Sequence, residues 1–314
     1  SGKAVRILSG KILGDSTQRL INEFLGAFPN AKHISIDEFG VDDLVESQFE
    51  SYGTAVLPHY HFDQADVVFS IGADFLGTWG TSEEFSADWM KKRQLDASNA
   101  KSTTMSKLYV AESMLSLTGA NADERFPLRP GDEVKVAGAV ANLVAGKKGL
   151  SVSGALSSYQ PKAVAEDTGI ALEKLQEIAG ALISASGKSL VIAGGVSSKT
   201  DSSMALQVIV NFLNSSLGND GVTVDGNAQS SNKVGRAKEL NQLIQEMNAG
   251  SVGTLIVHNS NPGYTLPQAI GFDSALSKVG MVISTSDRVD ETANLSDFLA
   301  PDHHFLENWG DSQF

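Results

Sequence analysis

Short apolar runs recur along this chain. Each closes on a polar or glycine-bearing turn and is followed by a stretch whose apolar positions have helical spacing. Runs at residues 5–9, 33–37, 66–72, 107–112, 189–195 and 254–258 read as strands, with a return to a sheet at 297–300. Between them, Leu20, Ile21, Phe24 and Leu25 form one helical stripe, and further helices are predicted at 41–52, from 81 or 82 to Arg93, from Pro130 to 144, and at 172–183, 202–217 and 234–247. Asp15 or Ser16 is the expected cap of the first helix and Thr81 or Ser82 of the third. One crossover helix is expected between residues 262 and 287. Strands alternating with helices at this spacing predict an α/β protein with two doubly wound, mostly parallel sheets.

One pattern occurs twice. Thr118, Asp123 and Pro127 share the spacing Thr-x4-Asp-x3-Pro with Thr292, Asp297 and Pro301, and each set follows a strand, a polar turn and a second strand. This points to duplicated halves. The clearest shift in composition lies at 146–154, which sets expected domains at 1–150 and 151–314. Residues 96–106 and 227–232 read as polar connections.

Composition narrows the function. The chain has 314 residues, 41% hydrophobic and 19% charged, enough for a sizeable core. A net charge of −13 supplies no basic footprint for nucleic acid or anionic lipid. The absence of cysteine removes disulfides, thiolate zinc sites, a cysteine nucleophile and cysteine-held iron–sulfur clusters from these residues. No apolar run is long enough for a transmembrane helix. Both ends read as cuts within a longer polypeptide.

Candidate chemistry is sparse. No Gly-x4-Gly-Lys-Ser/Thr loop and no Gly-x-Ser-x-Gly elbow occurs. Gly194 and Gly195 close a strand as a dinucleotide loop would, or simply allow close backbone packing. Asn259, Ser260 and Asn261 can hold their own turn or present a polar lip to a ligand. Glu112 and Glu291 stand at strand exits, where a carboxylate accepts from a ribose or a base, or caps the next helix. His59 and His61 share a face without an obvious third ligand, and His303 and His304 point apart on an extended chain, so no metal site is expected.

Five stretches in order then resemble the molybdopterin oxidoreductase (dimethyl sulfoxide reductase) superfamily: Ile192 to Gly195, Asn214 with Gly218 to Gly221, Val257 to Pro262, Asp290 to Pro301, and Leu306 to Asp311. The first half fits through Asp66 to Gly72, Thr118, Asp123 and Leu128 to Asp132. Gly72 to Trp79 and Val110 to Asp123 resemble most nearly the molybdopterin-oxidoreductase-like region of the large iron–sulfur subunit of alternative complex III, a bacterial quinol:electron acceptor oxidoreductase. The resemblance implies a cofactor-free scaffold within a membrane-bound respiratory complex, on the periplasmic side of the inner membrane. Its partners are other subunits, its iron–sulfur clusters lie in an absent region, and these residues hold no catalytic group.

It also implies a crevice at Gly72, Glu112, Gly194, Gly195, Asn259, Asn261, Glu291 and Thr292, vestigial or filled by side chains such as Phe75 and Trp79. Cofactor-binding relatives place Asn-Pro where this chain has Ala73, Asp74 and Phe75, and Asp, often Asp-Pro-Arg, where it has Glu112, Ser113 and Met114. The family's metal ligand, often cysteine or selenocysteine, precedes the first-half strand, where this chain has neither; serine or aspartate can also serve, which leaves Ser47 or Asp43 open as a ligand. The alternatives are a catalytic core binding molybdopterin guanine dinucleotide with molybdenum or tungsten, and a small-molecule or nucleotide-binding domain using the second-half crevice.

Overall fold

The computed structural model describes residues 3–37, 40–94, 104–152, 154–227, 235–304 and 306–312. In chain order the elements are β1 (Ala4–Ser9), α1 (Asp15–Ala27), β2 (Ala31–Ser35), α2 (Asp42–Tyr52), β3 (His59–Tyr60), β4 (Val67–Ile71), α3 (Ser82–Arg93), β5 (Lys107–Glu112), α4 (Leu117–Ala120), β6 (Glu124–Pro127) and α5 (Glu133–Lys148). They continue with α6 (Pro161–Thr168), α7 (Leu172–Ser184), β7 (Ser189–Ala193), α8 (Ser203–Leu217), β8 (Val224–Asp225), α9 (Ala237–Asn248), β9 (Val252–His258), α10 (Pro262–Thr265), α11 (Phe272–Leu276), β10 (Val282–Ser284), α12 (Glu291–Asn294) and β11 (Phe298–Leu299).

The chain folds into two compact units, but not at the expected boundary. Unit 1 comprises Ser1–Asp42 with Ser231–Phe314, and unit 2 is Asp43–Ser230. The division at residue 150 is therefore corrected, because β4 pairs with β7 from the far side of it and β1 pairs with β9. The glycine-rich shift near 146–154 marks the end of α5, where Gly149 takes the left-handed conformation (φ 67°) that closes a helix.

Unit 1 holds a five-stranded parallel sheet in the order β11-β10-β9-β1-β2. Leu8, Ile34, Leu255, Val257 and Val282 pack one face against α9 and α11, while Ile7 and Ile256 pack the other against Ile21, Phe24 and Leu25 of α1. Unit 2 holds a parallel sheet in the order β6-β5-β4-β7, with β3 and β8 paired antiparallel beside it. Phe69, Ile71, Tyr109, Ala111, Val191 and Ala193 face the apolar stripes of α5, α7 and α8. The alternate residues Val68, Leu108, Val110, Leu190 and Ile192 are buried on the opposite face. The doubly wound parallel architecture is thus as expected.

Local departures have local causes. The crossover between β9 and β10 is broken into α10, a 3-10 turn at Gln268–Ile270 and α11, because Pro267 and Gly271 interrupt any single helix. Helix α5 starts at Glu133, behind a turn that contains Pro130. Thr81 occupies the cap position of α3, its hydroxyl donating to the Glu84 carboxylate at 3.1 Å without accepting from a backbone amide, whereas Gly14 occupies the cap of α1. There Asp311, far along the chain, accepts the Ser16 amide at 3.0 Å and the Ser16 hydroxyl. Most of 96–106 and all but Asn227 of the 227–232 connection lie outside the described residues.

On the surface of unit 2, Glu177 receives Lys174 at 2.9 Å and Lys107 at 3.0 Å, and these bonds, Lys174 first, hold its carboxyl down at about 2. A carboxylate depressed in the folded state contributes stability that is fully present above its unfolded value. That contribution fades as pH falls through the folded one. The stability gap between the parent chain and Glu177→Gln, followed by urea denaturation, should therefore shrink between about pH 5 and about pH 2. A gap constant over that window would exclude this role for the two lysines.

Candidate functional site

The duplicated pattern is a structural clasp, and each unit has its own. In unit 2, Asp74 Oδ1 accepts from the Thr118 amide at 2.9 Å and its hydroxyl at 2.8 Å, and Thr118 Oγ1 accepts from the Leu76 amide at 3.0 Å. In unit 1, Asn261 Oδ1 accepts from the Thr292 amide at 3.1 Å and its hydroxyl at 2.7 Å, and Thr292 Oγ1 accepts from the Gly263 amide at 2.9 Å. Asp123 then accepts the Leu108 amide at 2.7 Å, as Asp297 accepts that of Val282 at 2.7 Å. Ser116 caps α4 and Asp290 caps α12.

Both threonines are fully buried. Thr118→Val or Thr292→Val keeps the shape but removes one of the two bonds to that acceptor and leaves the Leu76 or Gly263 amide unpaired, at an expected cost of about 2 kcal/mol in either unit. Chemical denaturation checks it, and a loss confined to one variant would show that the two clasps are not equivalent.

In unit 2 the carboxyl ends of β4, β5 and β7 are packed with the chain's own groups. Gly72 (φ 71°) and Gly195 (φ 88°) bring two backbones together: a Cβ on Gly72 would lie 2.6 Å from the Gly194 carbonyl, and one on Gly195 2.3 Å from that of Gly72. The Trp79 indole lies over Gly194, where a Cβ would come within 2.2 Å of its ring nitrogen. Trp79 and Phe75 are buried, and Phe75 stacks on Phe62 with centroids 4.3 Å apart. Glu112, also buried, accepts from Arg125 Nε at 2.6 Å, from the Ser116 hydroxyl at 2.6 Å and from the Ser116 amide at 3.2 Å. A Cβ on Gly119 would meet its carboxylate, so that glycine makes room for it. Asp43 is paired with Lys199 at 2.5 Å, and Ser47 donates to the Leu44 carbonyl at 2.7 Å.

Unit 1 differs. At the carboxyl ends of β1, β9 and β10 lies an open groove of about 750 Å³. Open α/β sheets bind ligands at such edges, and the volume is that of a small-molecule site. Lys11, His258, Asn259, Arg288 and Asp311 are among its lining residues. Asn259 is held at φ 48°, its carbonyl against Gly10, where a Cβ would lie 2.5 Å away. The Ser260 hydroxyl oxygen is buried without a hydrogen-bond partner. His258 Nδ1 shares a hydrogen bond with Thr285 Oγ1 at 2.8 Å and lies 3.4 Å from Asp302. Arg288 sits against Asp287 at 2.8 Å and holds that carboxyl below its usual range.

Of the residues singled out by sequence, the structure joins Asn261, Glu291 and Thr292 in one network, in which Asn261 Nδ2 donates to Glu291 at 2.7 Å. They hold the turn, while Asn259 faces the groove. Gly72, Gly194 and Gly195 form the packed turn of unit 2, with Glu112 on the neighbouring strand β5. His59 and His61 lie edge to face at 4.9 Å, and among the described residues no group of three or more His, Asp or Glu is placed to hold a metal ion. Sequence reasoning missed Arg125, Lys11 and Arg288. Only Arg125 left a signal, as a lone cation in a strand next to the one that ends in Glu112.

Two parallel sheets carrying the same clasp, with their connecting loops at the strand carboxyl ends, give this chain a fold of the molybdopterin oxidoreductase type. It superimposes on acetylene hydratase from Pelobacter acetylenicus with a TM-score of 0.62 at 14% identity, over 96% of this chain and 49% of that one. In sequence it is 26% identical over 272 residues, 80% of this chain, to the menaquinone reductase, molybdopterin-binding-like subunit of Nitratidesulfovibrio vulgaris. The resemblance read from the sequence is thereby borne out. No protein-family profile matches the chain. It spans 38% of the length of that curated relative.

Proposed function

We propose that these residues are the cofactor-free, molybdopterin-oxidoreductase-like scaffold of an iron–sulfur subunit in a respiratory quinol:electron acceptor oxidoreductase of the alternative complex III kind. In this reading the subunit stands on the periplasmic side of the inner membrane, beside partner subunits, and its clusters lie in polypeptide outside these residues. The relative's name supports the respiratory setting: it is a subunit of a menaquinone reductase and is called molybdopterin-binding-like. Among the described residues no helix is long and apolar enough to cross a membrane.

The observation that carries the scaffold reading is the packed edge of unit 2. Trp79 lies on Gly194, and the Glu112 oxygens are taken by Arg125 and Ser116. A dinucleotide needs backbone amides and a carboxylate presented to it at such an edge. This edge does not fit one.

The groove of unit 1 favours a second reading, in which it keeps a ligand. Lys11 and Arg288 would meet the phosphates of molybdopterin guanine dinucleotide, and Asn259 and Ser260 its polar edge. The bound group would supply metal-centred redox chemistry, while these residues would bind and orient it.

Elemental analysis with pterin fluorescence on the full-length protein from its native host decides between the two. Iron without molybdenum, tungsten or pterin is the expected result. Molybdenum or tungsten near one atom per chain would overturn the scaffold reading.

A further inference from the structure

The duplication extends beyond the clasps and exposes an unequal covering of the two sheets. The shared hydrogen bonds of Leu108 with Asp123 and Val282 with Asp297 align β5 with β10. Strand register then aligns a whole cross-strand row. In unit 2 it runs Glu124, Tyr109, Phe69, Val191. In unit 1 it runs Phe298, Ile283, Ile256, Ile7.

The unit 2 row lies under α5, α7 and α8, and Tyr109, Phe69 and Val191 are at most 1% exposed. In unit 1, α1 follows β1 as α8 follows β7, and it buries Ile7. Helices α5 and α7 have no counterpart among the described residues of unit 1. Ile256 and Ile283 are accordingly half-buried, and Phe298 is 59% exposed.

We propose that this face of unit 1, from Ile256 across Ile283 to Phe298, is the docking surface for an amphipathic helix from the same polypeptide, outside residues 1–314. Unit 2 provides the template. There α5 follows β6 in the same chain and lays Val136, Ala137, Val140 and Val144 into the apolar cluster on that face. The length of the relative agrees, since the aligned region covers only 38% of it.

The row also defines the chemistry of the occupant. Glu124 of unit 2 is met by Lys174 of α7 at 2.7 Å, whereas its counterpart Phe298 is apolar. The helix over Phe298 therefore presents an aliphatic or aromatic side chain where α7 presents a lysine. Burying that phenyl ring fully supplies part of the docking energy.

The test uses the full-length protein in its native assembly; because residues 1–314 hold no native cysteine, peptide mass spectrometry of this region reads labelling at the introduced position alone. Phe298→Cys is labelled with a benzophenone maleimide, and Lys162→Cys on the exposed face of α6 serves as the accessible control. The expected result is labelling at least about tenfold slower at 298 than at 162. Photocrosslinks from the labelled fraction should map by peptide mass spectrometry to a segment of the same polypeptide. Equal rates overturn the proposal, and so does a crosslink to another subunit or to a second copy. If Phe298→Cys fails to fold, Ile283→Cys reads the same face.

Discussion

Gly195→Ala is expected to destabilise unit 2 by about 3 kcal/mol or more, a cost assembled from two mechanisms. The backbone there has φ 88° and ψ 167°, a region essentially confined to glycine that costs an L side chain about 1 to 3 kcal/mol. The new methyl would also lie 2.3 Å from the Gly72 carbonyl oxygen. The obstructing atom is backbone, so no rotamer change relieves the clash. The turn after β4 or the turn after β7 has to move, and Trp79 moves with them. Gly53→Ala is the control for a positive-φ glycine in open space, since its φ is 75° and nothing lies within 4 Å of the added Cβ. It should lose only the conformational part, about 1 kcal/mol. Urea denaturation of both variants gives the comparison, and equal losses would refute the close approach.

Arg125→Met should be nearly as damaging, at about 3 kcal/mol, because it strands the Glu112 carboxylate inside the edge of unit 2. Arg125 itself is partly exposed and gives up little by leaving, with side-chain exposure of 25% against 5% for Glu112. The cost comes from the partner left behind. Glu112→Gln introduced into Arg125→Met removes the stranded charge while retaining an oxygen for the Ser116 hydroxyl. The double variant should therefore recover stability relative to Arg125→Met alone, a sign reversal that simple additivity does not produce. Equilibrium unfolding of the four proteins completes the cycle. A double variant weaker than Arg125→Met would mean that Ser116 needs the ionised oxygen.

Much of the fold was legible because its marks are local. Strand period, helix stripes and turn residues sit next to one another in the sequence, and Thr-x4-Asp-x3-Pro appeared twice because each clasp is built around a short β-α-β return. The identity of the residue accepting from the threonine was less visible, since Asp74 and Asn261 differ in type and stand far upstream of Thr118 and Thr292. The unit boundary was not legible at all. Parallel pairing joins residues separated by an entire crossover and leaves no local composition mark, whereas the end of α5 leaves a strong one at Gly146 and Gly149.

The site was half legible for a related reason. Glycines and carboxylates at strand ends are correctly placed by pattern. Whether they face a ligand or one another depends on partners such as Arg125 and Trp79, which pattern does not supply.

The interleaved course of the chain has a consequence during synthesis. Strand β1 leaves the ribosome well before its neighbour β9, which is about 250 residues behind it. At about 5–20 residues per second that is a wait of roughly 10 to 50 seconds. Unit 2 is contiguous and can close in the meantime, with the nascent β1–α1–β2 segment held open at its amino end. The apolar faces of Leu8 and Ile34, which pack against α9 and α11, stay unsheltered throughout. The β1–α1–β2 segment thus depends on translation speed and on chaperones that shield emerging chains.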